Sequence, residues 1–182
     1  MRPTQLALEA VLREHAIRTG NFTLASGRTS TWYLDARQVT FRGDCMTIVG
    51  DAIVDALEVA GVAPFDAVGG LAVGAVPVAL AVAAATKTRS FAVRKEAKGH
   101  GTGGRIAGPL TPTDRVLIVE DTATSGGSLL DAVDAVLEFG CEIVGVTVLL
   151  DRGGEVGAKL AERNIAFYPV LTAPDLGFAF GS

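Results

Sequence analysis

Cysteine is nearly missing: Cys45 and Cys141 are the only two in 182 residues, far apart and without a Cys-x-x-Cys spacing. Neither a disulfide framework nor a thiolate zinc site is indicated, so both are expected as reduced, packed thiols. Histidine is as scarce, with His15 on an expected surface helix and without a role, which leaves His100 to place. Long apolar runs are lacking too. The stretch 79–85 stops well short of the roughly 18 residues that suggest a membrane span, and residues 1–20 hold no signal-peptide core. The expectation is a cytoplasmic protein with no membrane partner, and in that setting the Asn21-Phe22-Thr23 sequon is accidental. Basic residues are not in excess. A formal net charge of −4 exerts no general pull on nucleic acid or an anionic surface, so no nucleic-acid partner is expected and any anion site must be local.

What is present suits one globular domain over residues 1–182, with 49% hydrophobic and 20% charged residues. Residues 3–18 carry Leu6, Leu8, Ala10, Leu12 and Ile17 in a helical pattern, with Pro3 in the first turn and Gly20 as a stop. Residues 22–24 and 31–35 are β-prone around a turn at 25–28, a small hairpin appended to the main sheet. Met46, Val49, Ile53, Leu57 and Ala60 repeat at three or four, predicting a helix over 44–60 that Gly61 ends. Strands are expected at 65–69, 89–93, 115–120, 142–150 and 166–171, and helices at 74–85, 127–139 and 155–163. Apolar strands alternating with helices predict an α/β domain with a mainly parallel sheet. Segment 95–113 holds five glycines and no regular pattern, and so long a loop is usually functional or disordered.

The most informative stretch follows the apolar run Val116-Leu117-Ile118-Val119. It reads Glu120, Asp121, Thr122, Ala123, Thr124, Ser125, Gly126, Gly127, Ser128, and it opens a helix. In an open α/β sheet such a turn lies at the carboxyl edge, where ligands bind. Its backbone N–H groups and hydroxyls can cradle a phosphate. Glu120 and Asp121 are poorly suited to touch phosphate but can accept hydrogen bonds from sugar hydroxyls. Phosphate beside a vicinal diol describes a ribose 5-phosphate. A simple helix cap at Asp121 or Thr122 would account for one residue, not for two acids, four hydroxyls and paired glycines. The pattern resembles the phosphoribosyl pyrophosphate signature of type I phosphoribosyltransferases.

The segment Arg94-Lys95-Glu96-Ala97-Lys98-Gly99-His100-Gly101 is a cationic, glycine-flanked stretch suited to closing over a polyanionic leaving group. It resembles the mobile catalytic loop of the orotate phosphoribosyltransferase family. Phe22-Thr23-Leu24-Ala25-Ser26-Gly27-Arg28-Thr29-Ser30 is similar to that family's early Phe-x-x-x-Ser-Gly-x-x-Ser element. The resemblance covers nearly the whole chain, and it implies the type I fold with residues 1–40 forming a hood over the base pocket. It implies orotate and phosphoribosyl pyrophosphate as substrates and orotidine 5′-monophosphate and pyrophosphate as products. Mg²⁺ is implied as cofactor with no firm protein ligand, and a homodimer with shared active sites.

By the same resemblance Lys98, His100 and Asp121 are catalytic, and Arg94, Lys95 and the 120–128 turn hold the phosphoribosyl pyrophosphate. Tyr33 and Leu34 are candidates for the base, and Thr124 and Arg152 for orotate, since an Arg fork matches a carboxylate. Two departures stand out, Ala25 and Gly74, where many members of the family carry Lys. Gly99 replaces a frequent acid. A purine or uracil transferase, a regulatory binder of phosphoribosyl pyrophosphate and an unrelated mononucleotide binder stay open as alternatives.

Overall fold

The computed structural model describes residues 1–23, 29–98 and 104–180, without the side chains of 97 and 98. Its elements run α1 (Pro3–Val11), β1 (Ile17–Thr23), β2 (Thr29–Leu34), α2 (Arg37–Thr40), α3 (Met46–Val59), β3 (Ala67–Leu71), α4 (Ala75–Thr86) and β4 (Arg89–Lys98). They continue with β5 (Gly104–Ala107), β6 (Arg115–Ala123), α5 (Gly127–Phe139), β7 (Glu142–Asp151), α6 (Val156–Ala161) and β8 (Phe167–Thr172). Six strands form one sheet in the order β5-β4-β3-β6-β7-β8, and β1 pairs β2 in a separate two-stranded sheet. All neighbours in the large sheet are parallel except β4 and β5. The expected α/β class with a mainly parallel sheet is therefore observed.

Strand β6 is central because its apolar run must be covered on both faces. Leu117 and Val119 pack into a core with Ile53 of α3, Val78 and Val82 of α4, and Leu171 of β8. Val116 and Ile118 face the other way, into a core with Leu129, Val133 and Val136 of α5 and Leu160 of α6. The hairpin is not detached from this scheme. Leu8, Leu12, Trp32 and Leu34 belong to the same apolar cluster as Leu117 and Val119, so the N-terminal segment is packed against the sheet rather than tethered to it.

Two expectations need correction. The first helix does not run to residue 18: a single π turn, Leu12–Ala16, follows α1, and Ile17 already pairs with Leu34. Gly20 therefore sits inside β1 and stops no helix. Cross-strand pairing of the β-branched and aromatic residues Ile17, Thr19 and Phe22 with β2 overrides the helical spacing. Leu8 and Leu12 form the buried face of this segment, whereas Leu6 is 49% exposed.

The segment 95–113 is likewise not wholly irregular. Strand β4 continues to Lys98 and β5 returns antiparallel, with Val93 opposite Ile106 and Lys98 opposite Gly104. Arg105 pins the arm's base, bonding the Arg94 carbonyl oxygen at 2.8 Å and Asp131 at 2.6 Å. Backbone pairing needs no apolar pattern, so composition alone hid this arm.

Leu117 is fully buried on a central strand. Its replacement by Ala should lower the unfolding free energy by about 2–5 kcal/mol, read as a shift of the urea midpoint at unchanged slope.

Candidate active site

The carboxyl ends of β3, β4, β6 and β7 deliver four segments to one edge of the sheet, as a parallel sheet requires. Between the hairpin's exit and this edge lies a cavity of about 350 Å³. Tyr33, Leu34, Asp35 and Arg37 wall it from the hood side, Leu71–Gly74 and Lys95 from the sheet, and Glu120, Asp121, Thr122 and Ser128 from the turn after β6. A second cavity of about 300 Å³ adjoins it, lined by Glu120 and the turn from Thr122 through Ser128 to Leu129. Glu120, Thr122 and Ser128 line both.

The turn has the form of an anion nest. Gly126 is the N-cap of α5 at φ +76°, where no side chain caps the helix. The first-turn N–H groups of a 13-residue helix are thus presented beside the hydroxyls of Thr124, Ser125 and Ser128, all exposed. Only glycine fits at 126, since a Cβ there would sit 2.5 Å from the Val156 side chain in addition to the left-handed backbone. Asp121 does not cap α5. Its Oδ1 accepts the Thr122 N–H at 2.6 Å and the Thr122 hydroxyl at 3.4 Å.

The two acids differ in environment. Glu120 is 6% exposed. Burial, and then the neighbouring Asp121 charge, push its carboxyl up to about 8, against a hydrogen bond from the Asp121 N–H at 3.2 Å. Asp121 is also raised, chiefly by burial, while the Thr122 hydrogen bonds and the positive charge of Arg37 oppose the rise. Such acids gain by ionising against hydroxyl donors or a cation. Gly74 matters here, because a Cβ at this position would approach Glu120 Oε1 to 2.9 Å and Asp121 Oδ2 to 3.2 Å. The side chain absent from position 74 leaves room for the acids against the β3–α4 loop, which the Ala72 N–H anchors to the Val93 carbonyl at 2.7 Å.

Among the described residues no group of three or more His, Cys, Asp and Glu side chains is placed to hold a metal ion. Two carboxylates on one wall fit a hard cation shared with substrate oxygens and waters rather than a protein cage.

The other candidates divide. Lys95 lines the first cavity and Thr124 the second. Arg94 instead turns to the arm, its Nη1 donating to the Gly104 carbonyl at 3.4 Å. Arg152 follows β7 beside the nest, its N–H donating to the Ala123 carbonyl at 2.9 Å, and its guanidinium lies over Trp32. The side chain of Lys98 and all of His100 lie outside the described residues, as does Ala25. The sequence reading missed Asp35 and Arg37. They form an ion pair at 2.7 Å on the cavity wall, which holds the Asp35 carboxyl below its ordinary value. An Asp-Ala-Arg directly after a strand was the available signal.

The family model described as phosphoribosyl transferase domain matches residues 52–167. An orotate phosphoribosyltransferase of Rhodopirellula baltica is 38% identical over 179 residues, 93% of this chain and 92% of that protein. One from Pyrococcus furiosus is 39% identical, covering 96% of this chain and 95% of that protein. The chain belongs to the orotate phosphoribosyltransferase family. A crystal structure of the Mycobacterium tuberculosis H37Rv member of this family, in complex with phosphoribosyl pyrophosphate, has a TM-score of 0.81 at 33% identity, covering 97% of this chain and 100% of that one. The expected type I phosphoribosyltransferase fold is thus the one observed.

Glu120 ties the site to stability. With its carboxyl raised above the ordinary 4.5, its contribution to stability is present below that pH and is lost as pH rises through about 8. Glu120→Gln removes the charge, so its melting temperature should match the parent near pH 5 and exceed it increasingly toward pH 9. A gap independent of pH would refute the assignment.

Proposed function

We propose that this chain is an orotate phosphoribosyltransferase, joining orotate to phosphoribosyl pyrophosphate to give orotidine 5′-monophosphate and pyrophosphate in pyrimidine synthesis. The observation that carries the reading is the uncapped α5 N-terminus directly after a raised acid pair, at the mouth of two adjoining cavities. It is supported by family membership over nearly the full chain.

In this reading the N–H groups and hydroxyls of residues 122–128 hold the 5-phosphate. Glu120 and Asp121 accept the ribose hydroxyls and ionise as they do so. The bond from the anomeric carbon to pyrophosphate breaks with its electron pair leaving on pyrophosphate, and orotate N1 forms the new bond, its proton passing to solvent. Lys95 on the cavity wall and, from the arm, Arg94, Lys98 and His100 neutralise the departing charge. Lys98 and His100 protonate or pair with the leaving oxygen, and Thr124 and Arg152 take orotate. Mg²⁺, when bound, would neutralise charge on the pyrophosphate, and Glu120 and Asp121 are the carboxyl groups of the β6 turn that would face it from the cavity. A cytoplasmic setting accords with Cys45 and Cys141, both free and buried.

Orotate consumption that depends on both phosphoribosyl pyrophosphate and Mg²⁺ tests the reading, with uracil and adenine as competitors. Turnover of either competitor at a comparable rate would overturn the substrate assignment. Arg152→Ala should lower kcat/KM for orotate by roughly 1.5–3 kcal/mol equivalent, the scale of a hydrogen bond to a charged group, while the KM for phosphoribosyl pyrophosphate changes far less.

Shared sites in a homodimer are part of the same proposal, because β4 and β5 form an antiparallel pair at the edge of the sheet, and Arg94, Lys95 and Lys98 follow one another along β4. A Lys98→Ala parent mixed with an Asp121→Asn parent should recover activity in hybrid dimers, since one composite site then holds both intact halves. Hybrids that form yet stay inactive would refute it.

A further inference from the structure

Trp32 heads the fully buried side chains of this protein by size, and two segments distant from it in sequence meet on its ring. The guanidinium carbon of Arg152, just past β7, lies 4.5 Å from its ring centroid. The ring of Phe178, after β8, stacks on it with centroids 4.2 Å apart and planes 3° from parallel. The same region is closed by backbone geometry. Asp151 Oδ1 accepts the Gly153 N–H at 2.9 Å, turning the chain after β7, and a Cβ at Gly153 would stand 2.3 Å from the ring of Phe180. The turn that carries Arg152 is therefore held between the nest, through the Ala123 carbonyl, and the chain's final segment.

We infer that Trp32, backed by Phe178, is a positioning residue for base recognition, holding the Arg152 guanidinium where it meets the orotate carboxylate. A cation over an indole face is attracted by the ring quadrupole, and more so where water is excluded. A guanidinium can meet an aromatic ring with its flat face and a carboxylate with its N–H rim, so the two kinds of contact are compatible in one side chain. A long Arg side chain loses rotamer freedom on binding, and one already placed by a buried ring loses less. The device also gives the hood hairpin a direct part in choosing the base, through a residue that need not touch it. The inference rests on the reading above that Arg152 meets orotate.

Trp32→Leu should lower kcat/KM for orotate by roughly five- to thirtyfold, the scale of a desolvated cation–π contact, mainly through KM, with the KM for phosphoribosyl pyrophosphate changed less than about twofold on the same reasoning. Trp32→Phe, which keeps an aromatic face, should recover most of the loss. Because Trp32 is buried, Phe178→Leu serves as a milder variant if Trp32→Leu does not fold, and it should shift orotate KM in the same direction. In an Arg152→Ala background neither substitution should add a further loss, a coupling that a purely structural role would not produce. Equal losses for both substrates, no recovery in Trp32→Phe, or full additivity with Arg152→Ala would overturn the inference. If Arg152→Ala itself leaves orotate kinetics intact, the role of Arg152 falls and this inference with it. If Arg152→Ala is impaired while the Trp32 and Phe178 variants are normal, the inference alone falls.

Discussion

The site depends on a strand that is buried on both faces and ends in two carboxyl groups. Strand β6 is covered by α3 and α4 on one side and by α5 on the other, so Glu120 emerges at its end with almost no solvent. Removing a carboxylate from water disfavours its charged form, and a second acid one residue on adds to the effect. The strand that builds the core thus also sets the resting protonation of the site. What the acids then require, hydroxyl donors, is what the ribose of phosphoribosyl pyrophosphate brings.

The neighbouring turn draws on the same geometry. Because β6 leads straight into α5, the helix start lies beside the acids rather than behind them, and Gly126 leaves it without a side-chain cap. A capped helix would offer fewer N–H groups to a phosphate. The carboxyl groups of Glu120 and Asp121 and the positive potential at the α5 N-terminus are thereby separated by a few residues, one suited to hydroxyls and the other to phosphate. The Gly74 loop completes the arrangement, since a side chain there would press on both carboxyl groups.

Much of this was legible in the residues. The strand-acid-turn-helix from Val116 to Ser128 is local, so its chemistry and its place at a sheet edge follow from a short span, and α5 runs over the expected residues 127–139. Periodicity also located α3 and α4 within a residue or two at most ends. It failed where pairing across the chain outweighed local preference. Ile17 carries on a helical pattern but is taken by β2, and the glycine-rich arm forms through backbone hydrogen bonds that no side-chain pattern announces.

By itself the sequence determined the α/β class through the alternation of apolar strands and helices, and the acid pair, the glycine turn and the family through residues adjacent in the chain. Only the tertiary structure decided that Arg37 lines the same cavity as Asp121, that Gly74 stands against both acids, and that Arg152 lies on Trp32. Those contacts join segments that the sequence keeps far apart. Those of Arg37 and Arg152 depend on the hairpin, which buries Trp32 in the same core as β6, and that of Gly74 on the pairing of β3 with β6.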